Sequence, residues 1–165
     1  MNKGRVWKYG EDVNTDVIFP GKYTYQPMEP VEMAQHAMED LDPTFVKGVK
    51  EGDIIVAGKN FGCGSSREQA ATCLKAAGVA AVVAKSFSRI FFRNSINNGL
   101  PVIELQKGTD AMKKGEAVSI DFGSGIVRHE GNAYHFPALP KEVLGILENG
   151  GLIPHVKKVL GAHRG

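Results

Sequence analysis

Apolar residues along the chain fall into short runs bounded by glycine and polar clusters, which predicts strands and helices of modest length. Val6, Trp7 and Tyr9 within Gly4–Tyr9 predict a first short strand, and GEDVNTD from Gly10 to Asp16 predicts a polar loop. GKYTYQPMEP, Gly21–Pro30, follows Pro20 and is a loop by composition. From Val31, the spacing of Met33, Ala34, Ala37 and Met38 predicts an amphipathic helix that ends near Asp40 to Pro43. DIIVAG, Asp53–Gly58, has the unbroken apolar character of a buried strand. Ala70, Ala71, Leu74 and Ala77 then form the stripe of a helix stopped at Gly78, and Ala80–Ala84 a second buried strand. Ser86–Asn98 reads as a helix with Ile90, Phe91 and Ile96 on its apolar side and Gly99 at its stop, and Pro101–Leu105 as a strand. Ala117–Phe122, Ile126–Glu130 and Ala133–Phe136, separated by GSG and GN, predict antiparallel hairpins. From Pro140 the chain gives one or two short helices interrupted by Asn149, Gly150 and Gly151.

Strand, helix, strand in this order implies parallel pairing with right-handed crossovers. The fold class is α/β: a mixed sheet with flanking helices and a C-terminal antiparallel hairpin region. No internal repeat or linker divides the chain, so a single unit over residues 1–165 is expected. Ligands in such sheets gather at the carboxyl ends of the strands.

The stretch at that position is GKNFGCGSSRE, Gly58–Glu68. Gly62 and Gly64 stand where the chain turns from strand to helix, which puts Ser65, Ser66 and Arg67 at a helix N-terminus. Free N–H groups and the helix dipole favour an anion there, and Arg67 adds a planar cationic fork suited to a carboxylate or phosphate. A plainer reading uses the same residues: Ser65 with Glu68, or Ser66 with Gln69, makes a capping box. The glycines do not form a Walker loop, and a GxG without a third spaced glycine does not define a dinucleotide site. Asp12, Asn14 and Asp16 alternate in the preceding loop but lack the glycine and distal glutamate of a calcium loop, so turn-making hydrogen bonds are their expected role. Arg89 and Arg93 read as surface charges.

Composition narrows the function classes. With 42% hydrophobic and 23% charged residues and a net charge of +2, nothing favours nucleic acid or a membrane surface. No apolar run is long enough to span a bilayer and the first ten residues lack a signal-peptide core, so a cytoplasmic protein is expected. Cys63 and Cys73 make neither a disulfide framework nor a metal-binding repeat, and by themselves they supply too few thiolates for an iron–sulfur cluster. The histidines at 36, 129, 135, 155 and 163 show no ligand spacing, and no metal bound by this chain is expected.

The signature resembles that of the swivelling domain of the aconitase superfamily. The resemblance extends through KSFSRIFFRNSINNGLPVIEL, Lys85–Leu105, and back to NTDVIFPGKY, Asn14–Tyr23. As a free-standing chain it is similar to the small subunits of the archaeal and clostridial dehydratases that act on isopropylmalate, homocitrate or dimethylmalate. The resemblance implies an enzyme subunit that removes water from a hydroxy-dicarboxylate and adds it back at the adjacent carbon. Such chemistry needs a base for a carbon-bound proton, a Lewis acid for the hydroxide and clamps for carboxylates. It implies Ser65 as the base, Ser66 in substrate binding, Arg67 as the carboxylate clamp and Asp16 as an orienting residue in the cleft. It also implies that the segment with Tyr23, Thr24, Tyr25 and Gln26 meets the variable part of the substrate. An arginine there would suit a further carboxylate, whereas Lys22 is the only cation in Gly21–Pro30, which leans toward isopropylmalate. The 4Fe–4S cluster would be carried by a large subunit, in a heterodimer or heterotetramer, with self-association of the isolated chain a further expectation. The reading from another class is a stand-alone carboxylate-binding regulatory module.

Overall fold

The computed structural model describes residues 2–164. Met1 and Gly165, the ends of the expected single unit, and the side chain of His163 lie outside the described residues. Its elements are β1 (Asn2–Lys8), α1 (Thr15–Ile18), α2 (Pro30–Ala34), α3 (Phe45–Gly48), β2 (Ile54–Ala57), α4 (Glu68–Ala76), β3 (Ala81–Ala84), α5 (Arg89–Asn97), β4 (Val102–Glu104), β5 (Ala117–Asp121), β6 (Ile126–His129), β7 (Asn132–His135), α6 (Lys141–Glu148) and α7 (Leu152–Arg164).

The strands form one seven-stranded sheet in the order β4-β3-β2-β1-β5-β6-β7. β1 to β4 pair in parallel, while β5 pairs antiparallel to β1 and continues into the β6 and β7 hairpins. This is the expected mixed sheet. β2 and β3 are buried at every position, as parallel strands covered on both faces must be. Their alternation divides the core. Ile55, Ala57, Val82 and Ala84 face a cluster built with Leu74 and Phe91 of the helices, whereas Ile54, Val56, Ala81 and Val83 face a second cluster with Leu105, Met112 and Val118. At the start of β2, buried Asp53 accepts from Arg5 Nη2 at 2.9 Å, Trp7 Nε1 at 2.8 Å and the Lys50 N–H at 2.9 Å. Burial pushes this carboxyl's pKa up, but the hydrogen bonds from Arg5, Trp7 and Lys50 outweigh it and hold it below the usual carboxylate range.

Three stretches depart from the sequence expectation. The helix expected from Val31 to about Asp40 ends at Ala34, because Met38 turns into the left-handed region (φ 60°) and gives its N–H to the Ile18 carbonyl at 2.8 Å. That exit buries Ala37 and Met38 completely. The polar loop expected over Gly10–Asp16 ends in a helical turn, α1, capped by Asn14 Oδ1 accepting from the Val17 N–H at 3.1 Å. The helix expected at Ser86 starts at Arg89, with Ser88 Oγ accepting from the Phe91 N–H at 3.2 Å, and it leaves Ile90 49% exposed.

Candidate active site

The three stretches that carry the resemblance meet at the carboxyl end of β2. The Gly62 N–H donates to the Val13 carbonyl at 2.7 Å and the Thr15 N–H to the Cys63 carbonyl at 2.8 Å, which joins the signature to the loop before α1. On the other side, the Phe61 N–H donates to the Ser86 carbonyl, the Ser88 N–H returns to Phe61, and Ser88 Oγ donates to the Gly62 carbonyl at 2.8 Å. Gly62 permits this closeness. Its φ is 81°, and a Cβ there would stand 2.2 Å from Phe91 Cγ, so no side chain fits without moving α5.

The capping boxes do not form. Helix α4 begins at Glu68 with Arg67 as its N-cap, and no side chain caps it. Ser65 and Ser66 therefore lie outside the helix on an exposed turn. Among the described residues, the one side-chain hydrogen bond of Ser65 is with Thr15 Oγ1 at 3.4 Å, and Thr15 Oγ1 also donates to the Ser65 carbonyl at 2.9 Å. Thr15, 2% exposed, thus sets the place of Ser65. Sequence reasoning passed over it because a threonine between Asn14 and Asp16 carries no signal of its own. Among the described residues, no protein acceptor takes the N–H of Gly64, Ser65, Ser66 or Arg67. A run of unpaired donors at the head of a nine-residue helix is suited to an anion, or to an alkoxide formed on the same turn.

Arg67 turns back across this surface. Its Nη1 forms an ion pair with Asp16 Oδ1 and lies 3.4 Å from the Phe19 carbonyl. The Arg67 side chain is 17% exposed and that of Asp16 is 60% exposed, so the pair sits at the rim with its carboxylate toward water. Nη2 has no described protein acceptor and lies beside Gly21, where a Cβ would come within 3.1 Å of it. The guanidinium can therefore offer donors to a second carboxylate while Asp16 holds its orientation.

The segment after Gly21 is tied to the same surface, since Gln69 Nε2 of α4 donates to the Thr24 carbonyl at 3.2 Å. Its residues separate by exposure. Tyr23 packs inward against the core, Thr24 is half-buried, and Gln26 and Tyr25 are exposed, the last at 97%. Lys22 places Nζ 5.1 Å above the Tyr23 ring. Arg89 and Arg93 are exposed, in keeping with surface charges. Among the other histidines, buried His129 bonds Glu116 through Nε2 at 2.6 Å, a link within the β5 to β6 region away from this surface.

The cysteines do not fit an iron–sulfur cluster. Cys73 is fully buried in the core with its thiol pKa pushed up by burial. Cys63 is half-buried, and burial, with Asp12 adding to it, raises its thiol as well. Cys73 is sealed in the core, and two cysteines are short of the usual ligand set.

The sequence pattern of the aconitase C-terminal domain family matches residues 13–108. The 3-isopropylmalate dehydratase small subunit of Heliobacterium modesticaldum is 49% identical over 156 residues, covering 93% of each chain. The 3-isopropylmalate dehydratase small subunit 2 of Archaeoglobus fulgidus is 51% identical over 157 residues, covering 94% of each. Among solved structures, the 3-isopropylmalate dehydratase of Methanocaldococcus jannaschii superposes with a TM-score of 0.90 at 44% identity, covering 99% of this chain and 98% of that one.

Proposed function

The chain belongs to the family of 3-isopropylmalate dehydratase small subunits, built on the aconitase C-terminal domain, and from that premise we propose how it works. It is one half of a hydro-lyase of leucine biosynthesis that interconverts 2-isopropylmalate and 3-isopropylmalate by loss and return of water. The observation that carries the site assignment is the turn Gly64–Arg67, whose N–H groups have no protein acceptor among the described residues and where the Arg67 guanidinium keeps donors to spare.

Ser65 Oγ accepts the proton from the carbon next to a substrate carboxylate. A serine hydroxyl is a poor base in water, and the N–H groups with the Arg67 charge lower the cost of its alkoxide. Arg67 binds a substrate carboxylate through its free fork, Asp16 orients the guanidinium, and Ser66 adds a donor from the same turn. Tyr23, Thr24, Tyr25 and Gln26 border the variable substituent. The 4Fe–4S cluster is assigned to the larger partner subunit, since the thiols here do not fit one. The chain folds as a single domain and works in the cytoplasm, together with the larger subunit.

Discrimination among substrates follows from charge. Homocitrate would place an additional carboxylate near Tyr23 to Gln26, and the one cation there, Lys22, is engaged with the Tyr23 ring. The assembled enzyme is expected to turn over isopropylmalate at least about tenfold more efficiently than homocitrate, measured as kcat/KM. A preference for homocitrate would overturn the substrate assignment.

A further inference from the structure

We propose that His36 is a positioning residue for substrate discrimination, acting through Tyr23 on the loop Gly21–Gln26. The proposal rests on the reading above that this loop meets the variable substituent.

The loop has little regular structure of its own beyond a 3-10 turn at Gly21–Tyr23. Tyr25 at 97% exposure is held by no packing, and Gln26 is exposed too, so their positions depend on how the loop is anchored. One anchor is the Gln69 to Thr24 hydrogen bond. The other is the Tyr23 ring. His36 lies against it with centroids 4.0 Å apart at 32°, Phe19 meets it at 6.1 Å, and Lys22 Nζ stands 5.1 Å from its centre.

His36 sits between Glu39 and the end of α1. Its Nδ1 is shielded from solvent 3.5 Å from Glu39 Oε2, and neither atom has a hydrogen-bond partner among the described residues, so the ring is held by packing against Tyr23. Two residues on, Met38 gives its N–H to the Ile18 carbonyl, the last residue of the helix that carries Asp16. The connection from Asp16 through Ile18, Met38 and His36 to Tyr23 makes the clamp side and the substituent side of the surface one packed block. Removing the imidazole takes away the ring in closest contact with Tyr23 and leaves that ring to Phe19 and the core edge, with the Gln69 bond holding only Thr24. A displacement of about 1 Å at a positioning group is enough to change rates by up to about a hundredfold.

The readout is the ratio of kcat/KM for 3-isopropylmalate to that for 3-methylmalate in the assembled two-subunit enzyme, because a ratio is unaffected by the fraction of enzyme that folds. His36→Ala is expected to lower the ratio at least about fivefold, chiefly through a higher KM for the isopropyl substrate. His36→Phe, which keeps a ring against Tyr23, is expected to hold it within about twofold. Tyr25→Ala serves as the reference for the loop. A shifted ratio in Tyr25→Ala with an unchanged ratio in His36→Ala would overturn the positioning role alone. An unchanged ratio in Tyr25→Ala and His36→Ala alike would overturn the loop reading and the positioning role with it. Loss of the ratio in His36→Phe equal to that in His36→Ala would remove stacking as the cause.

Discussion

Ser65→Ala in the assembled enzyme is expected to lower kcat by about a thousandfold, the scale of losing a general base, with KM little changed. Stability is expected to move by less than about 0.5 kcal/mol, since the side chain is exposed, caps no helix and has one contact at 3.4 Å. The two readings of this serine make opposite predictions. Had it capped α4, the same change would cost about 1 kcal/mol of stability and leave most of the chemistry in place. Steady-state rates and a thermal melt on the same preparation separate the two.

Arg67→Lys is expected to reduce kcat/KM by about a hundredfold, largely through KM, with the fold retained. The lysine keeps one charge but loses the planar fork that pairs with Asp16 and, in the proposed role, holds a substrate carboxylate at the same time. Losing a charge-assisted hydrogen bond costs about 1.5 to 3 kcal/mol, which is ten- to a hundredfold in affinity, and the loss of orientation by Asp16 adds to it. The ion pair adds little to stability because the Asp16 side chain is 60% exposed and solvent screens it. Initial rates over a range of substrate concentration, beside a melting curve, check both halves of this expectation. A variant with wild-type KM would remove Arg67 from substrate binding.

Much of this arrangement was legible in the sequence. The unbroken apolar runs of β2 and β3 and the helix stripes between them identified a parallel sheet, and the turns among β5, β6 and β7 identified the hairpins, because local pattern and burial agree there. The signature could be placed at a strand end, but its two meanings, cap or anion site, differ only in whether the helix begins at Ser66 or at Glu68. That choice is made by distant contacts, among them Thr15 on the Ser65 carbonyl and Val13 on the Gly62 N–H. The exit of the chain from α2 was hidden for a similar reason. Met38 fits the helical period, and its hydrogen bond to the distant Ile18 carbonyl accompanies the turn that takes it out of the helix. Arg67 was visible as a cation, whereas its pairing with Asp16, about fifty residues earlier in the chain, depends on tertiary structure. His36 carried no spacing signal, since a single stacked ring has none to show.

The central claim is that this chain supplies base and clamp and is inactive until a larger, cluster-bearing subunit completes the site. The most direct measurement is an anaerobic titration of the purified chain into that subunit, following turnover of isopropylmalate. The account predicts no turnover by either polypeptide alone, a rise in rate that saturates at a fixed stoichiometry, and the same saturation with Ser65→Ala but almost no rate. Turnover by the isolated chain, or full activity in the Ser65→Ala assembly, would contradict it.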